Sequence, residues 1–261
     1  MKDIQSQQDN RKLDIDQVGI KNLRYPVVVL DRSQSSQHVT ATINMCVDLP
    51  HAFKGTHMSR FVEVLNDFYG LITIKNMYDV LRAMQKKLNS ETAHFLMSFV
   101  YFLEKKAPVT QLIAKMEYDV TFEGNLDGND LDFVLQVRVP VTTLCPCSKE
   151  ISEYGAHNQR SDVTIAVRFQ DFVWIEELIE IAEKEASCEL YALLKRPDEK
   201  YVTEKAYDNP KFVEDIVRDI ALQLLDDKRI VWFRIEAENH ESIHSHNAYA
   251  QIERDKRKPK A

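Results

Sequence analysis

One order of predicted secondary-structure elements occurs twice along the chain, and this repetition restricts the fold more than any other feature of the sequence. Each half reads as strand, strand, helix, helix, strand, strand, although the pattern does not define the first strand of the first half. A sheet that is apolar on one face must bury this face against another layer. We therefore predict an α+β fold with an internal duplication, in which two antiparallel sheets are each covered on one face by a helix pair.

The two halves differ in how clearly their patterns define each element. The first half contains a β-branched strand over Val39–Val47, a helix from Met58 that stops at Gly70, a helix over Met77–Leu88, an apolar segment His94–Glu104 that fits a helix or a strand, and an alternating strand over Leu112–Phe122. The second half contains alternating strands over Leu131–Val139 and Asp162–Phe169, a helix from Ile175, a helix that starts at Pro210 with Asn209 as its N-cap, and closing strands over Ile230–Glu238 and Ala248–Arg254.

The domain boundaries follow from this duplication. We predict an N-terminal arm over residues 1–24, a first unit over residues 25–128, a second unit over residues 129–254 and a C-terminal tail over residues 255–261. The arm and the tail are polar, and chain ends of this kind are commonly poorly ordered.

Composition excludes several classes of function. A net charge of −7 argues against a broad nucleic-acid surface, because such binding depends on neutralising phosphates with Lys and Arg. No apolar run approaches the ~20 residues that cross a bilayer, and the polar N-terminus lacks the apolar stretch of a secretory signal. We therefore expect a cytoplasmic protein without nucleic-acid or membrane partners. Four cysteines are too few for a disulfide scaffold of this size.

The connection Val141–Ser161 has the strongest chemical signal in the sequence. It contains Cys145, Cys147 and His157, whose thiol and imidazole groups suit metals of the Zn, Fe or Mn class. No second cysteine pair follows, so the donor set matches an open catalytic site better than a closed structural zinc site. The alternative is a loop with a surface histidine and two packed cysteines.

Three other clusters contain candidate functional groups. One cluster contains three possible ligands or binding groups, Glu199, Glu204 and Glu214. The simpler interpretation of Glu199 is a solvated charge on a loop, and that of Glu214 is an acidic residue stabilised by a helix N-terminus. His244 and His246 share a face if their segment is extended, or they are simply exposed loop residues. The third cluster, at the start of the first helix, combines cationic side chains with backbone N–H donors that suit phosphate oxygens: Lys54, His57 and Arg60.

Together these segments resemble one family. The stretches FKGTHMSRF, TTLCPCSKEIS, GAHNQRS, KRPDEKYVTEKAYDNPKFVED and SIHSHNAYA are similar to the motifs of GTP cyclohydrolase type IB, and the resemblance extends from about Gln37 to Ala250. It implies the tunnelling fold (T-fold), with tandem units that associate into barrels. It also implies a homo-oligomer, a tetramer, with active sites at the joins between units and between subunits.

The resemblance also assigns roles to residues. It implies Cys147, His157 and Glu199 as metal ligands with Cys145 as an alternative, Cys147, His157, His244 and His246 as catalytic residues, Glu214 as the purine-binding group, and Lys54, His57, Arg60, Lys149 and Arg160 as further substrate contacts. The implied reaction is the hydrolytic opening of the GTP imidazole ring, which gives 7,8-dihydroneopterin triphosphate and formate in the first step of tetrahydrofolate synthesis. The mixed ligand set is harder than one with two thiolates, so we expect activity with Mn²⁺ or Fe²⁺ as well as Zn²⁺.

Three other interpretations are compatible with the same residues. A related T-fold nitrile reductase of queuosine synthesis also uses a cysteine and a purine-binding glutamate. An archaeal-type relative makes a cyclic phosphate from GTP. A non-catalytic metal-stabilised or purine-binding module is the alternative from a different class.

Overall fold

Long antiparallel strands form the scaffold of the protein. The computed structural model describes Gln5, Gln7 and Asp9–Lys258, and this part of the chain has an α+β fold with nine strands and six helices. The strands are β1 (Ile15–Asp31), β2 (Ser35–Leu49), β3 (Thr92–Lys106), β4 (Ile113–Asp127), β5 (Asp130–Leu144), β6 (Asn158–Phe169), β7 (Cys188–Glu189), β8 (Ile230–Asn239) and β9 (Ala248–Asp255). The helices are α1 (Ser59–Asp67), α2 (Met77–Leu88), α3 (Pro146–Ile151), α4 (Ile175–Glu185), α5 (Arg196–Asp208) and α6 (Val213–Asp226).

The strands hydrogen-bond in the order β1-β2-β3-β4-β5-β6-β8-β9, and the short β7 pairs with β5. The chain divides into two compact units that are discontinuous in sequence. The first comprises the described residues up to Val100 together with Thr121–Val134, and the second comprises Tyr101–Val120 and the described residues from Leu135 onwards. The sequence-based boundary between residues 128 and 129 lies within the turn between β4 and β5, whereas each of β3, β4 and β5 contributes one part to each unit.

In the first unit, α1 and α2 contact each other and α2 contacts β2. Alternate strand residues such as Met45 and Phe95, which pair across β2 and β3, are fully or almost fully buried. The strand β1 pairs closely with β2 and contains two register shifts. Gly19 lies opposite Cys46 at this pairing, and a Cβ there would lie 1.9 Å from the Met45 carbonyl oxygen. Only glycine therefore permits the observed approach of the two backbones.

In the second unit, α4 contacts α6, and α6 contacts β8 and β9. The inward stripe of α6 is fully buried at Ile216, Ile220 and Leu224, as its apolar spacing predicts. Along β5, β6 and β8, residues on one face are also fully buried, and this face is apolar until the strands reach the end of the sheet at Thr143, Ser161 and Asn239. The connections that contain the candidate site residues begin at this polar end of the face.

Several predicted elements are confirmed, and others are wrong. The ambiguous segment His94–Glu104 lies within β3, and the closing strands match β8 and β9 within one residue. The predicted arm is wrong for Ile15–Arg24, which belongs to β1, while residues 1–4, 6 and 8 of the arm lie outside the described residues. The predicted tail starts at Asp255, which is the last residue of β9, and residues 259–261 lie outside the described part.

The helix predicted to begin at Pro210 instead begins at Val213. Its N-cap is Phe212, whose backbone N–H donates to the Asp215 carboxylate at 3.0 Å, so the local capping signal is Asp215. Asn209 is the C-cap of α5, a helix that the sequence interpretation missed. Among the helices of residues 5–258, none combines the length and the hydrophobicity needed to cross a bilayer.

Candidate active site

The cysteine motif and His157 are fixed on neighbouring strand ends. Leu144 at the end of β5 pairs with Asn158 at the start of β6, and the Cys145 N–H donates to the His157 carbonyl at 3.2 Å. Between them, the Ser148 hydroxyl donates to the Cys145 carbonyl at 3.1 Å and accepts from the His157 N–H at 3.2 Å. The loop therefore returns His157 to the base of the cysteine motif.

The two cysteines have different surroundings. Cys145 is half-buried at the N-cap of α3, where its sulfur accepts from the Ser148 N–H at 3.5 Å. Cys147 is exposed in the first turn of the same helix. The geometry therefore gives Cys145 a structural contact and leaves Cys147 as the more accessible thiol for a metal or substrate.

A second connection joins His157 to the predicted histidine cluster. His157 Nδ1 lies 3.2 Å from the Ser242 hydroxyl, which leaves Nε2 as the ring nitrogen that can coordinate a metal or transfer a proton. The rings of His244 and His246 stack at 5.2 Å in the same connection between β8 and β9, and both residues are exposed. The structure thus brings two of the sequence motifs to one end of the second unit.

The chemistry of these side chains fits a metal ion. An exposed thiol and an imidazole with one nitrogen already oriented are borderline ligands of the kind that bind Zn, Fe or Mn. Within the described ranges, however, no three His, Cys, Asp or Glu side chains are grouped closely enough to hold a metal. Glu199, the predicted carboxylate ligand, is exposed in the first turn of α5.

The start of α5 is held by the preceding residue, Asp198. Its fully buried carboxylate accepts from the backbone N–H groups of Val109 and Thr110, each at 2.9 Å, and from the Lys195 N–H at 2.9 Å. Burial by itself raises the pKa of the Asp198 carboxyl, but these donors outweigh burial and hold the pKa well below its ordinary range. Asp198 therefore fixes the helix turn from which Glu199 projects.

The start of α6 lies against the end of β5. The Lys211 N–H donates to the Leu144 carbonyl at 3.1 Å, so the α6 N-terminus is adjacent to the cysteine motif. Glu214 is exposed in the first turn of this helix. Lys149 of α3 donates to the Tyr207 carbonyl and lies 4.3 Å above the Tyr207 ring, so this predicted substrate contact also links α3 to α5.

The remaining predicted cations differ in location. Arg160 is exposed on β6, and its carbonyl accepts from the His240 N–H at 2.9 Å. Lys54, His57 and Arg60 belong to the first unit, where Lys54 and His57 precede α1 and Arg60 lies in its first turn. Lys54 is exposed, and Arg60 donates to the Lys87 carbonyl at 3.3 Å.

The sequence interpretation missed two groups of polar residues near the strand ends. On the outer face, Asp162 accepts from Arg138 and lies 2.6 Å from His240 Nε2. Burial by itself raises the pKa of Asp162, but the bonds from His240 and Arg138 outweigh it and hold the pKa below its ordinary value. On the inner face, a buried polar ladder links four residues, Gln159, Thr143, Ser161 and Asn239. Polar residues at inward positions of alternating strands are the sequence signal that could have revealed this ladder.

Comparisons with known proteins identify the family of this chain. The family model described as type I GTP cyclohydrolase folE2 matches residues 1–250. GTP cyclohydrolase FolE2 of Magnetococcus marinus is 60% identical over 253 residues, covering 97% of this chain and 96% of that protein. The protein of the same name from Syntrophobacter fumaroxidans is 54% identical over 257 residues, covering 98% of this chain and 100% of the relative.

The solved structures that are similar share the fold at low identity. Uricase from Arthrobacter globiformis superposes with a TM-score of 0.55 at 9% identity, covering 94% of this chain and 95% of that chain. Urate oxidase from Bacillus subtilis gives a TM-score of 0.53 at 9% identity, covering 92% and 99%. The structural likeness establishes the fold alone, whereas the sequence matches extend over nearly the whole chain and establish that it belongs to the type I GTP cyclohydrolase FolE2 family.

Proposed function

We propose that this protein is a metal-dependent GTP cyclohydrolase I that opens the imidazole ring of GTP and releases formate and 7,8-dihydroneopterin triphosphate. Family membership over nearly the whole chain supports the activity. The structural observation that carries the proposal is the contact between His157 Nδ1 and Ser242 Oγ, because it joins the Cys147 connection to the connection with His244 and His246.

Cys147, His157 and Glu199 are the residues that we propose to hold one divalent ion, with Cys145 as an alternative ligand. Such an ion lowers the pKa of water in its coordination shell toward ~7 and supplies a nucleophile at neutral pH. Because the set combines one thiolate with imidazole and carboxylate, we expect Mn²⁺ or Fe²⁺ to support activity at least as well as Zn²⁺.

The chain's own residues orient the nucleotide and move protons. Glu214 would accept bonds from the N–H edge of guanine, which directs C8 toward Cys147 and His157, and positioning of this kind contributes a large share of enzymatic rates. The triphosphate would be bound by the cationic candidates Lys54, His57, Arg60, Lys149 and Arg160. His244 and His246, with ordinary imidazole chemistry near neutral pH, are suited to repeated proton transfer to the ring nitrogens.

The reaction consumes water in two hydrolytic steps before the ring rearranges. The first water adds at C8 and the ring opens to a formamide, and the second releases formate. The ribose carbons then rearrange to a ketone, and its condensation with the free amine closes the pterin ring and releases one water. We also propose the cytoplasm as the site of action.

We further propose that the two compact units are tandem T-fold units that associate into barrels in a homotetramer, with active sites at subunit interfaces. Two observations support this assembly. The strands β1 and β9 end the hydrogen-bonding order, so each has one edge that pairs with no other strand of the described residues, as strands that pair with another copy would. Glu199 is not grouped with Cys147 and His157 among the described residues of one chain, which suits a site completed by association.

The test is anaerobic incubation of metal-free protein with GTP and either Mn²⁺, Fe²⁺ or Zn²⁺, with formate and pterin fluorescence followed together. Appearance of both products is the expected result. Activity restored by Zn²⁺ alone would contradict the metal preference. Absence of both products with every metal would contradict the proposed function, and it would favour the nitrile reductase or a non-catalytic purine-binding module.

A further inference from the structure

Two buried oxygen atoms near the candidate active site lack a hydrogen-bond donor. These are Gln159 Oε1 and Glu241 Oε2, neither of which has a partner within the described part of the chain. Gln159 is only 8% exposed. A buried acceptor without a donor destabilises the folded protein, so native structures keep few of them, and those that persist often serve a function.

The strand register relates these two residues. Ser161 pairs with Asn239, the last residue of β8, and the His240 N–H donates to the Arg160 carbonyl at 2.9 Å just beyond it. Continuation of this antiparallel register by one more residue would bring Gln159 across from Glu241. Because side chains alternate between the faces of extended chain, both would then belong to the face that carries Ser161 and Asn239.

The polar ladder orients the Gln159 amide. Gln159 Nε2 donates to Thr143 Oγ1 at 2.9 Å, Thr143 Oγ1 lies 2.8 Å from Ser161 Oγ, and Ser161 Oγ donates to Asn239 Oδ1 at 2.6 Å. With its amino group fixed toward Thr143, the amide directs Oε1 to the opposite side. An amide that donates in a hydrogen-bonded chain also becomes a stronger acceptor.

The position of the pair connects it with the chemistry of the site. Gln159 is two residues from His157, and Thr143, its partner across the strands, is two residues from Cys145. Glu241 directly precedes Ser242, whose hydroxyl contacts His157 Nδ1. Gln159 therefore follows the connection that contains Cys147 and His157, and Glu241 lies in the connection that contains His244 and His246.

We propose that Gln159 and Glu241 form an acceptor pair for the N–H groups that arise on the purine as its imidazole ring opens. This inference rests on the proposed function. In GTP, N7 carries a lone pair and N9 carries the ribose, so neither nitrogen has a hydrogen. Addition of water across C8=N7 places the hydroxyl on C8 and a proton on N7. Cleavage of C8–N9, with the hydroxyl proton transferred to N9, leaves a formamide N–H at N7 and a second N–H at N9.

An acceptor pair of this kind binds the opened ring more strongly than GTP itself. Interactions made only after the ground state raise kcat and leave substrate binding unchanged. Loss of either acceptor should therefore reduce turnover, while affinity for an intact purine ring is retained. Replacement of Glu241 should not lower stability, because an unsatisfied buried acceptor is removed, whereas replacement of Gln159 also removes its buried bond to Thr143.

Two variants test the pair, Glu241→Gln and Gln159→Met, with the exposed Gln223→Met and Glu117→Gln as matched controls. In Glu241→Gln the introduced amide could donate to Gln159 Oε1, and in Gln159→Met the methionine fills the position without an acceptor. We expect kcat for formate release to fall about 10- to 100-fold in each, the effect of one lost bond to a charged or polarised group. The Kd for 7-deaza-GTP, which lacks N7 and cannot be hydrated there, should stay within about twofold, as should metal content, and Tm of Glu241→Gln should be unchanged or higher.

Results of two kinds would overturn the assignment. Turnover within about threefold of the wild type in both variants would exclude a role in the reaction, because one lost bond of this kind should cost more. A fall in Tm together with weaker 7-deaza-GTP binding would show that the pair is structural. If the wild-type holoenzyme itself releases no formate from GTP, the proposed function fails and the acceptor pair fails with it, whereas an active wild type with active variants contradicts the acceptor pair alone.

Discussion

Replacement of Ser242 by alanine tests the contact that joins the two motif-bearing connections. The hydroxyl lies 3.2 Å from His157 Nδ1, and Ser242 is exposed. Loss of a hydrogen-bond partner that orients a metal-binding histidine typically changes metal affinity about 10- to 100-fold, but such partners are usually buried and their hydrogen bonds are short. An exposed hydrogen bond of this length contributes about 0.5–1.5 kcal/mol. Because about 1.4 kcal/mol corresponds to a tenfold change, Ser242→Ala should weaken metal binding about 2- to 10-fold.

The assay is calorimetric titration of metal-free protein with Mn²⁺, accompanied by thermal unfolding. Tm should not change in the absence of metal, because the deleted hydroxyl is exposed and leaves no buried group unsatisfied. Ser245→Ala is the matched control, since this serine is exposed in the same connection. Equal Mn²⁺ affinity in Ser242→Ala and the wild type would refute the reasoning that the connection between β8 and β9 orients the His157 ring.

Three further predictions address the thiols, the outer-face carboxylate and the β1–β2 pairing. Cys147→Ala should abolish formate release, and full activity in this variant would show that the metal assignment is wrong. Cys145→Ala should retain measurable activity but lower Tm, because the Cys145 sulfur caps α3. The folded-state pKa of Asp162 is depressed, so its stabilisation is present above the unfolded pKa of about 3.9 and is lost as pH falls through the folded pKa. Urea unfolding should therefore show Asp162→Asn less stable than the wild type by about 1–3 kcal/mol at about pH 7, with the difference shrinking below about pH 4; a constant difference would contradict the assigned bonds. Gly19→Ala should lower Tm, because its Cβ would overlap the Met45 carbonyl and displace β1, and an unchanged Tm would show that β1 relaxes at no cost.

The local sequence pattern was sufficient to predict an element where the buried residues recur with a fixed period on one face. The alternation of Leu135, Val137 and Val139 predicted a strand, and all three are fully buried on β5. The same reasoning failed for α5, because only Asp198 and Ala206 of this helix are buried and no apolar stripe exists to reveal it. It also failed for the start of β1, an edge strand whose first residues are exposed and whose pairing contains register shifts.

Local spacing of residues was enough to predict the α+β class, the family resemblance and the residue types of the candidate site. Which of those residues contact each other depends on the tertiary structure. His157 and Ser242 are 85 positions apart, and the polar ladder from Gln159 to Asn239 spans β5, β6 and β8. Their contacts depend on antiparallel register, which is set by long-range backbone hydrogen bonds and by burial of the sheet face against the helices, and no short segment of sequence contains either constraint.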